Sequence, residues 1–278
     1  MQPETKVDFL IIGATKCATT WLQLSLSANP DVFMPAPELH YFSREYHRGS
    51  AWFQEQFSGA DNASFVGEKS NSYLTDPEAA ERIARDLPDV KLITQLRDPV
   101  QRTYSEYCML FRRGEVTRDI RQYLDPANAT AGDRFLDQSR YAHHLQKYRN
   151  LFGDHRILVL DFDRIRDAPE AQAQRVAEYI GLGGDLAPPV KDRVKDKTLP
   201  VVPLGIRRVL APVRRVLDPV RDTWPVQQLR NAIARPVNYP PLPADLEAEM
   251  AEYFRTDLEA LRRFAPHVGK RWPACRSL

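Results

Sequence analysis

Apolar and polar positions alternate along the chain in two distinct rhythms. Short apolar runs bounded by charged or turn residues, FLII at 9–12, KLITQL at 91–96 and RILVLDF at 156–162, have the length and composition of buried strands. Other segments carry helical spacing. Trp21, Leu22, Leu24 and Leu26 follow the first run. DPEAAERIARDLP at 76–88 has a proline just inside its start and another at its stop, and APEAQAQRVAEYIGL at 168–182 reaches the helix-ending Gly181. Strand-like runs alternating with helical ones predict an α/β domain with a central parallel sheet flanked by helices, in three layers. No internal repeat is present, and one domain over residues 1–278 is expected.

One region departs from this rhythm. Nine of the 22 prolines lie between Pro200 and Pro243, interleaved with the arginine pairs Arg207/Arg208 and Arg214/Arg215. Ile206, Val209, Leu210, Val213 and Leu217 keep helical spacing, so short amphipathic helices broken at Pro212 and Pro219 are expected in an arm at about 199–243. Such an arm packs on the domain surface, covers an acceptor site, or touches a membrane surface peripherally.

At 43% hydrophobic and 27% charged residues the chain has the balance of an ordinary globular protein, and 278 residues suffice for a sizeable core. A net charge of +2 gives no reason to expect nucleic-acid binding. The three cysteines, Cys17, Cys108 and Cys275, are too scattered for a disulfide framework or a zinc site. No apolar stretch is long enough to span a bilayer, and MQPETKVDF is not a signal peptide, so a cytoplasmic location is expected.

The first strand-like run stops at Gly13, and the turn ATKCA leads straight into the first helix. Strand, turn and helix in this order resemble a phosphate-binding loop, yet a nucleotide-triphosphatase loop has glycine and lysine where this chain has Ala18 and Thr19. The lysine sits earlier, at Lys16. Amides from Thr15 through Cys17 and Ala18 to Thr20, with the hydroxyls of Thr19 and Thr20, can converge on an anion at the positive end of the helix dipole. An oxyanion-binding turn is the functional reading; an ordinary buried strand-to-helix turn is the bland one.

A second stretch, LRDPVQRTYSEY at 96–107, follows the KLITQL run. Asp98-Pro99 starts a helix that brings Arg97, Arg102 and Ser105 within about two turns. Guanidinium forks match phosphate oxygens, so this stretch suits a terminal phosphate, or else it is a helix start with a surface ion pair.

Together, GATKCATTWL and RDPVQRTYSEY resemble the paired signature of the sulfotransferases that use 3′-phosphoadenosine-5′-phosphosulfate (PAPS). The resemblance implies a P-loop-like fold, PAPS as sulfonyl donor with no metal ion required, a loop around Lys16 holding the 5′-phosphosulfate, and Arg97 and Ser105 holding the 3′-phosphate. PELHYFS at 37–43 resembles the K-E-x-H-F-F segment of the carbohydrate branch, which makes Glu38 the implied base. GEKSNSYL at 67–74 resembles E-K-[ST]-P-x-Y, adding Lys69. VGKRWPA at 268–274 resembles the closing G-R-x-Y-P loop, adding Lys270, Arg271 and Trp272. Trp21 matches an aromatic that stacks on adenine in the small-molecule branch, or else it is a core tryptophan. Chain length and the Pro/Arg-rich arm resemble bacterial members.

Three positions depart from the pattern: Ala18 replaces a glycine, Pro37 a lysine and Asn71 a proline. In the implied mechanism Lys16 counters charge growing on the leaving phosphate oxygen. Glu38 or His40, two residues apart on an extended segment and facing one way, takes the acceptor proton, with Glu38 preferred. Cys17 beside Lys16 has the position of an activated thiol but no base partner. His47, His143, His144, His155 and His267 read as surface or structural. The expected acceptor is a hydroxyl, or less readily an amine, of a carbohydrate or small metabolite. The competing readings are a P-loop kinase and a catalytically silent PAPS-fold binding protein.

Overall fold

The computed structural model describes residues 6–183, 228 and 233–275. Five strands, β1 (Phe9–Gly13), β2 (Val32–Phe33), β3 (Phe65–Lys69), β4 (Lys91–Leu96) and β5 (Ile157–Asp161), form one sheet in the order β2-β3-β1-β4-β5. All neighbouring pairs are parallel. The three runs expected as strands are β1, β4 and β5. β2 and β3 were not legible as strands, because β2 is two residues long and β3 reads FVGEK, with a glycine and two charges.

Helices α1 (Thr19–Ser27), α2 (Gly49–Glu55), α3 (Ala79–Asp86), α4 (Pro99–Arg113), α5 (Arg121–Leu124), α6 (Tyr141–Phe152), α7 (Asp163–Asp167), α8 (Pro169–Ile180) and α9 (Ala244–Phe264) surround the sheet. β1, buried throughout, shows how the layers form. Phe9 and Ile11 point to one face, packing in a cluster with Leu22 and Leu26 of α1 and Val176 and Ile180 of α8. Leu10 and Ile12 point to the other, into a larger core with Ile83 of α3, Leu145 of α6 and Leu258 of α9. The period-two alternation of one strand thus builds a helix–sheet–helix sandwich.

Local chemistry sets the helix ends. α3 starts later than the prolines suggested, because the Asp76 carboxylate accepts the amides of Glu78 and Ala79, each at 3.0 Å, and holds that segment as a turn. Asp98 caps α4 by accepting the Gln101 amide at 2.9 Å, with Pro99 in the first turn. Most of the arm expected at 199–243 lies outside the described residues. At Tyr239 and Pro240 the chain lies against α4, where the Phe111 ring meets that of Tyr239 and the Tyr104 hydroxyl donates to Pro240 O at 2.8 Å. Among the described residues no helix is long and apolar enough to cross a membrane.

Candidate active site

Strand order reverses on either side of β1, the place where open α/β sheets bind ligands beyond their carboxyl ends. The loop at 14–18 sits there. Lys16 (φ 67°) and Ala18 (φ 58°) are both left-handed, a conformation that costs a residue with a Cβ about 1–2 kcal/mol. That explains physically why glycine suits position 18. Gln95 of β4 grips the loop twice: its carbonyl accepts the Ala14 amide at 3.0 Å and its side chain donates to Cys17 O. The first-turn amides of α1, at Thr19 and Thr20, have no intrahelical acceptor and face this turn. Lys16, Thr15 and Thr20 are half-buried and Thr19 is buried.

The segment carrying Glu38 and His40 packs against the end of β3. Lys69, only 3% exposed, binds Glu38 Oε1 at 2.6 Å. Asn71 adds two bonds, its side-chain amide donating to Oε1 at 3.0 Å and its backbone N–H to Oε2 at 3.1 Å. Its side-chain carbonyl oxygen accepts the Thr19 hydroxyl at 2.6 Å, which connects the carboxylate to the helix start that follows the 14–18 loop. Burial alone pushes the Glu38 carboxyl up. The hydrogen bond and charge of Lys69, with the Asn71 backbone N–H and His40, more than reverse this and hold it below its ordinary 4.5. Glu38 is therefore an anion at neutral pH.

His40 Nε2 stands 3.7 Å from Glu38 Oε2, so the two residues meet as expected. The backbone route differs: His40 is left-handed (φ 52°), at the start of a short π-helical turn over Tyr41–Glu45, rather than extended. Burial, then the charge of Arg44, holds its imidazole below 6.5 against the pull of Glu38, so it is neutral at pH 7. Its Nδ1 shares a 2.7 Å hydrogen bond with Ser72 Oγ, itself 2.7 Å from Ser43 Oγ.

Beneath this lies a residue that reading the sequence missed. Glu68, fully buried in β3, accepts Ser70 Oγ at 2.5 Å and the Leu39 amide at 3.3 Å, while Ser70 Oγ accepts the His40 amide at 2.7 Å. The GEKSNSYL motif contained all of these residues, but no periodicity marks a carboxylate that supports a loop. Burial pushes the Glu68 carboxyl up to about 7, against the hydrogen bonds that lower it.

At the ends of β4 and β5 the expected phosphate contacts divide. Arg97 is half-buried, its guanidinium 4.8 Å from the Phe162 ring centre, and Ser105 is half-buried one and a half turns into α4. Arg102 is fully buried and donates to Arg134 O, Phe135 O and Ser139 Oγ, so it holds the fold. In the closing loop, Asp161 accepts the Gly269 amide at 3.0 Å and the Trp272 indole N–H at 3.3 Å, and Asp98 accepts the Ala274 amide at 3.0 Å. Lys270 and Arg271 are exposed, Arg271 pairing with Asp167, around a small cavity of about 200 Å³.

Several expected contacts are turned inward. Trp272, 1% exposed, lies edge-on to Tyr141, and Trp21, 6% exposed, packs in the α1/α8 core, so neither offers an open ring face. Cys17 contributes backbone to the loop, but its thiol is buried 3.9 Å from the Tyr141 hydroxyl. Burial pushes that thiol up to about 11, which excludes an activated thiolate. His144 and His267 bond to the carbonyls of Asp137 and Val159, as structural histidines do.

A strand-to-helix turn joined through one side chain to a fixed carboxylate lies at the switch point of a parallel sheet, in an α/β protein of P-loop-like fold. A family model described as "Sulfotransferase family" matches residues 49–185. Mouse heparan sulfate glucosamine 3-O-sulfotransferase 3B1 is 32% identical over 181 residues, covering 62% of this chain and 45% of that protein. Human bifunctional heparan sulfate N-deacetylase/N-sulfotransferase 3 is 30% identical over 202 residues, covering 63% of this chain and 22% of that protein. The chain thus spans less than half the length of these curated relatives. The crystal structure of a sulfotransferase from Alicyclobacillus acidocaldarius shares the fold, with a TM-score of 0.68 at 22% identity over 93% of this chain and 95% of that one. Over residues 49–185 the chain is thus similar to the sulfotransferase family.

Proposed function

We propose that this protein transfers the sulfonyl group of PAPS to a hydroxyl of a carbohydrate, with Glu38 as base. The observation that carries the reading is the continuous path Thr19–Asn71–Glu38: the turn suited to a phosphosulfate and the carboxylate suited to an acceptor proton share one frame. The names of the heparan sulfate relatives favour a sugar acceptor, a glucosamine-containing one in particular.

The donor set fits the proposed ligand. Lys16, the Thr19 and Thr20 amides and the Thr20 hydroxyl would bind the phosphosulfate, and Arg97 and Ser105 the 3′-phosphate, with Lys270 and Arg271 lending positive charge from the closing loop. Bound PAPS supplies the sulfonyl group and a phosphate leaving group. Lys16 offsets charge that grows on the bridging oxygen as the S–O bond to phosphate breaks. Oε1 of Glu38 accepts from both Lys69 and the Asn71 side-chain amide, while Oε2 accepts from the Asn71 backbone N–H alone and, as the less engaged oxygen, takes the acceptor proton as the new O–S bond forms. Neutral His40, beside Oε2, is placed to accept that proton next.

A binding measurement separates this reading from a kinase. Adenosine 3′,5′-bisphosphate is expected to raise the melting temperature clearly more than AMP or magnesium-ATP, and Arg97→Ala to weaken its binding by about 2–3 kcal/mol. Equal stabilisation by magnesium-ATP contradicts the assignment.

A further inference from the structure

Asn71 stands where the E-K-[ST]-P-x-Y pattern has proline. A proline carries neither a backbone N–H nor a side-chain amide, so with the pattern's own residue none of the three bonds at this position can form. In this chain the N–H reaches Glu38 Oε2 at 3.1 Å, the amide nitrogen reaches Oε1 at 3.0 Å, and the amide oxygen accepts the Thr19 hydroxyl at 2.6 Å. The amide orientation is consistent, because the hydroxyl donates to the oxygen while the nitrogen faces a carboxylate.

We propose that Asn71 is a positioning residue, which fixes the Glu38 carboxylate with two hydrogen bonds and, through Thr19, locks it to the donor-binding loop. This rests on the reading of Glu38 as base. A carboxylate on a half-buried loop has rotamers to lose, and a base misplaced by an ångström forfeits much of its rate. Lys69 alone is a point charge and leaves the carboxylate free to pivot about Oε1; the Asn71 bonds to both oxygens remove that freedom.

The arrangement also fixes protonation. The charged and titratable groups facing Glu38 are Lys69 and His40, with Glu68 behind them and Arg44 acting on His40. Burial works to raise the Glu38 carboxyl, and each donor removed lets burial gain. Loss of an Asn71 bond therefore shifts the Glu38 titration upward.

The test is a carbon-13 NMR titration of the Glu38 side-chain carboxyl, its signal assigned by loss in Glu38→Gln, run on the full chain in wild-type form and as Asn71→Ala. That variant keeps the backbone N–H and removes the amide, so it does not force a proline into the turn. The expected midpoint rises, and the acidic limb of the kcat profile moves with it. kcat falls about tenfold or more while the thermal shift with adenosine 3′,5′-bisphosphate is kept. Thr19→Val lowers kcat in the same way and Thr19→Ser restores it. An unchanged Glu38 titration in Asn71→Ala overturns the proposal. The two readings fail separately: a wild type that transfers no sulfonyl group but shows the shifted titration refutes the proposed reaction and leaves Asn71 as the residue that sets Glu38.

Discussion

Glu68 shows how much one residue can decide without touching a ligand. Folded, its carboxyl is pushed up to about 7 against an ordinary 4.5, so the folded chain holds a proton that the unfolded chain has released. The sign follows from that difference. The contribution is fully present below about pH 4.5 and is lost as pH rises through about 7, on the order of 3 kcal/mol in all. Glu68→Gln cannot titrate, so urea unfolding of wild type and variant should show wild type losing ground to the variant across that window and holding a constant difference above it. A difference independent of pH contradicts the assignment. Legibility at this scale was uneven. Lys16, Glu38, His40 and Lys69 were visible because their residue types stand in a known pattern. Glu68 and Asn71 were not: the first is a charge in a strand, and the second read only as a missing proline.

Among the elements, β3 shows why composition misleads. Gly67 lies opposite Phe9 in the β1 pairing, and a Cβ there would stand 2.2 Å from the Phe9 ring. The strand needs a glycine to seat that ring, and it needs Glu68 and Lys69 at its end to build the site. All three residues argue against a strand by propensity. Gly67→Ala is expected to cost about 1–3 kcal/mol through overpacking, read as a lower denaturation midpoint. Phe9→Leu should recover part of that loss in the double mutant, so that the two changes fail to add. Additive losses would mean that the ring is not what excludes a side chain. The long apolar runs β1, β4 and β5 were legible because both faces of each are buried, which leaves little for the sequence to encode except length and β-branching. The closing loop was legible as a motif, but its geometry was not: Trp272 belongs to the core, and Asp98 and Asp161 bolt the loop to the strand ends.

For the molecule as a whole, the sheet order brings together segments far apart in sequence. The loop after β1, the end of β3 and the segment after β2 meet on one side of the switch point, and the ends of β4 and β5 with the closing loop meet on the other. The first group carries Lys16, Glu38, His40 and Lys69; the second carries Arg97, Ser105, Lys270 and Arg271. A donor with a phosphosulfate at one end and a 3′-phosphate at the other would span the two. The most direct test of that account is mass spectrometry of the full chain incubated with PAPS, a set of glucosamine-containing oligosaccharides and a metabolite extract of its host, alongside Glu38→Gln. Wild type is expected to yield a carbohydrate product heavier by one SO₃ unit with one adenosine 3′,5′-bisphosphate released per product. Glu38→Gln should slow this by about two to four orders of magnitude while still binding the bisphosphate. A wild type that forms no such product, or a Glu38→Gln variant with undiminished turnover, contradicts it.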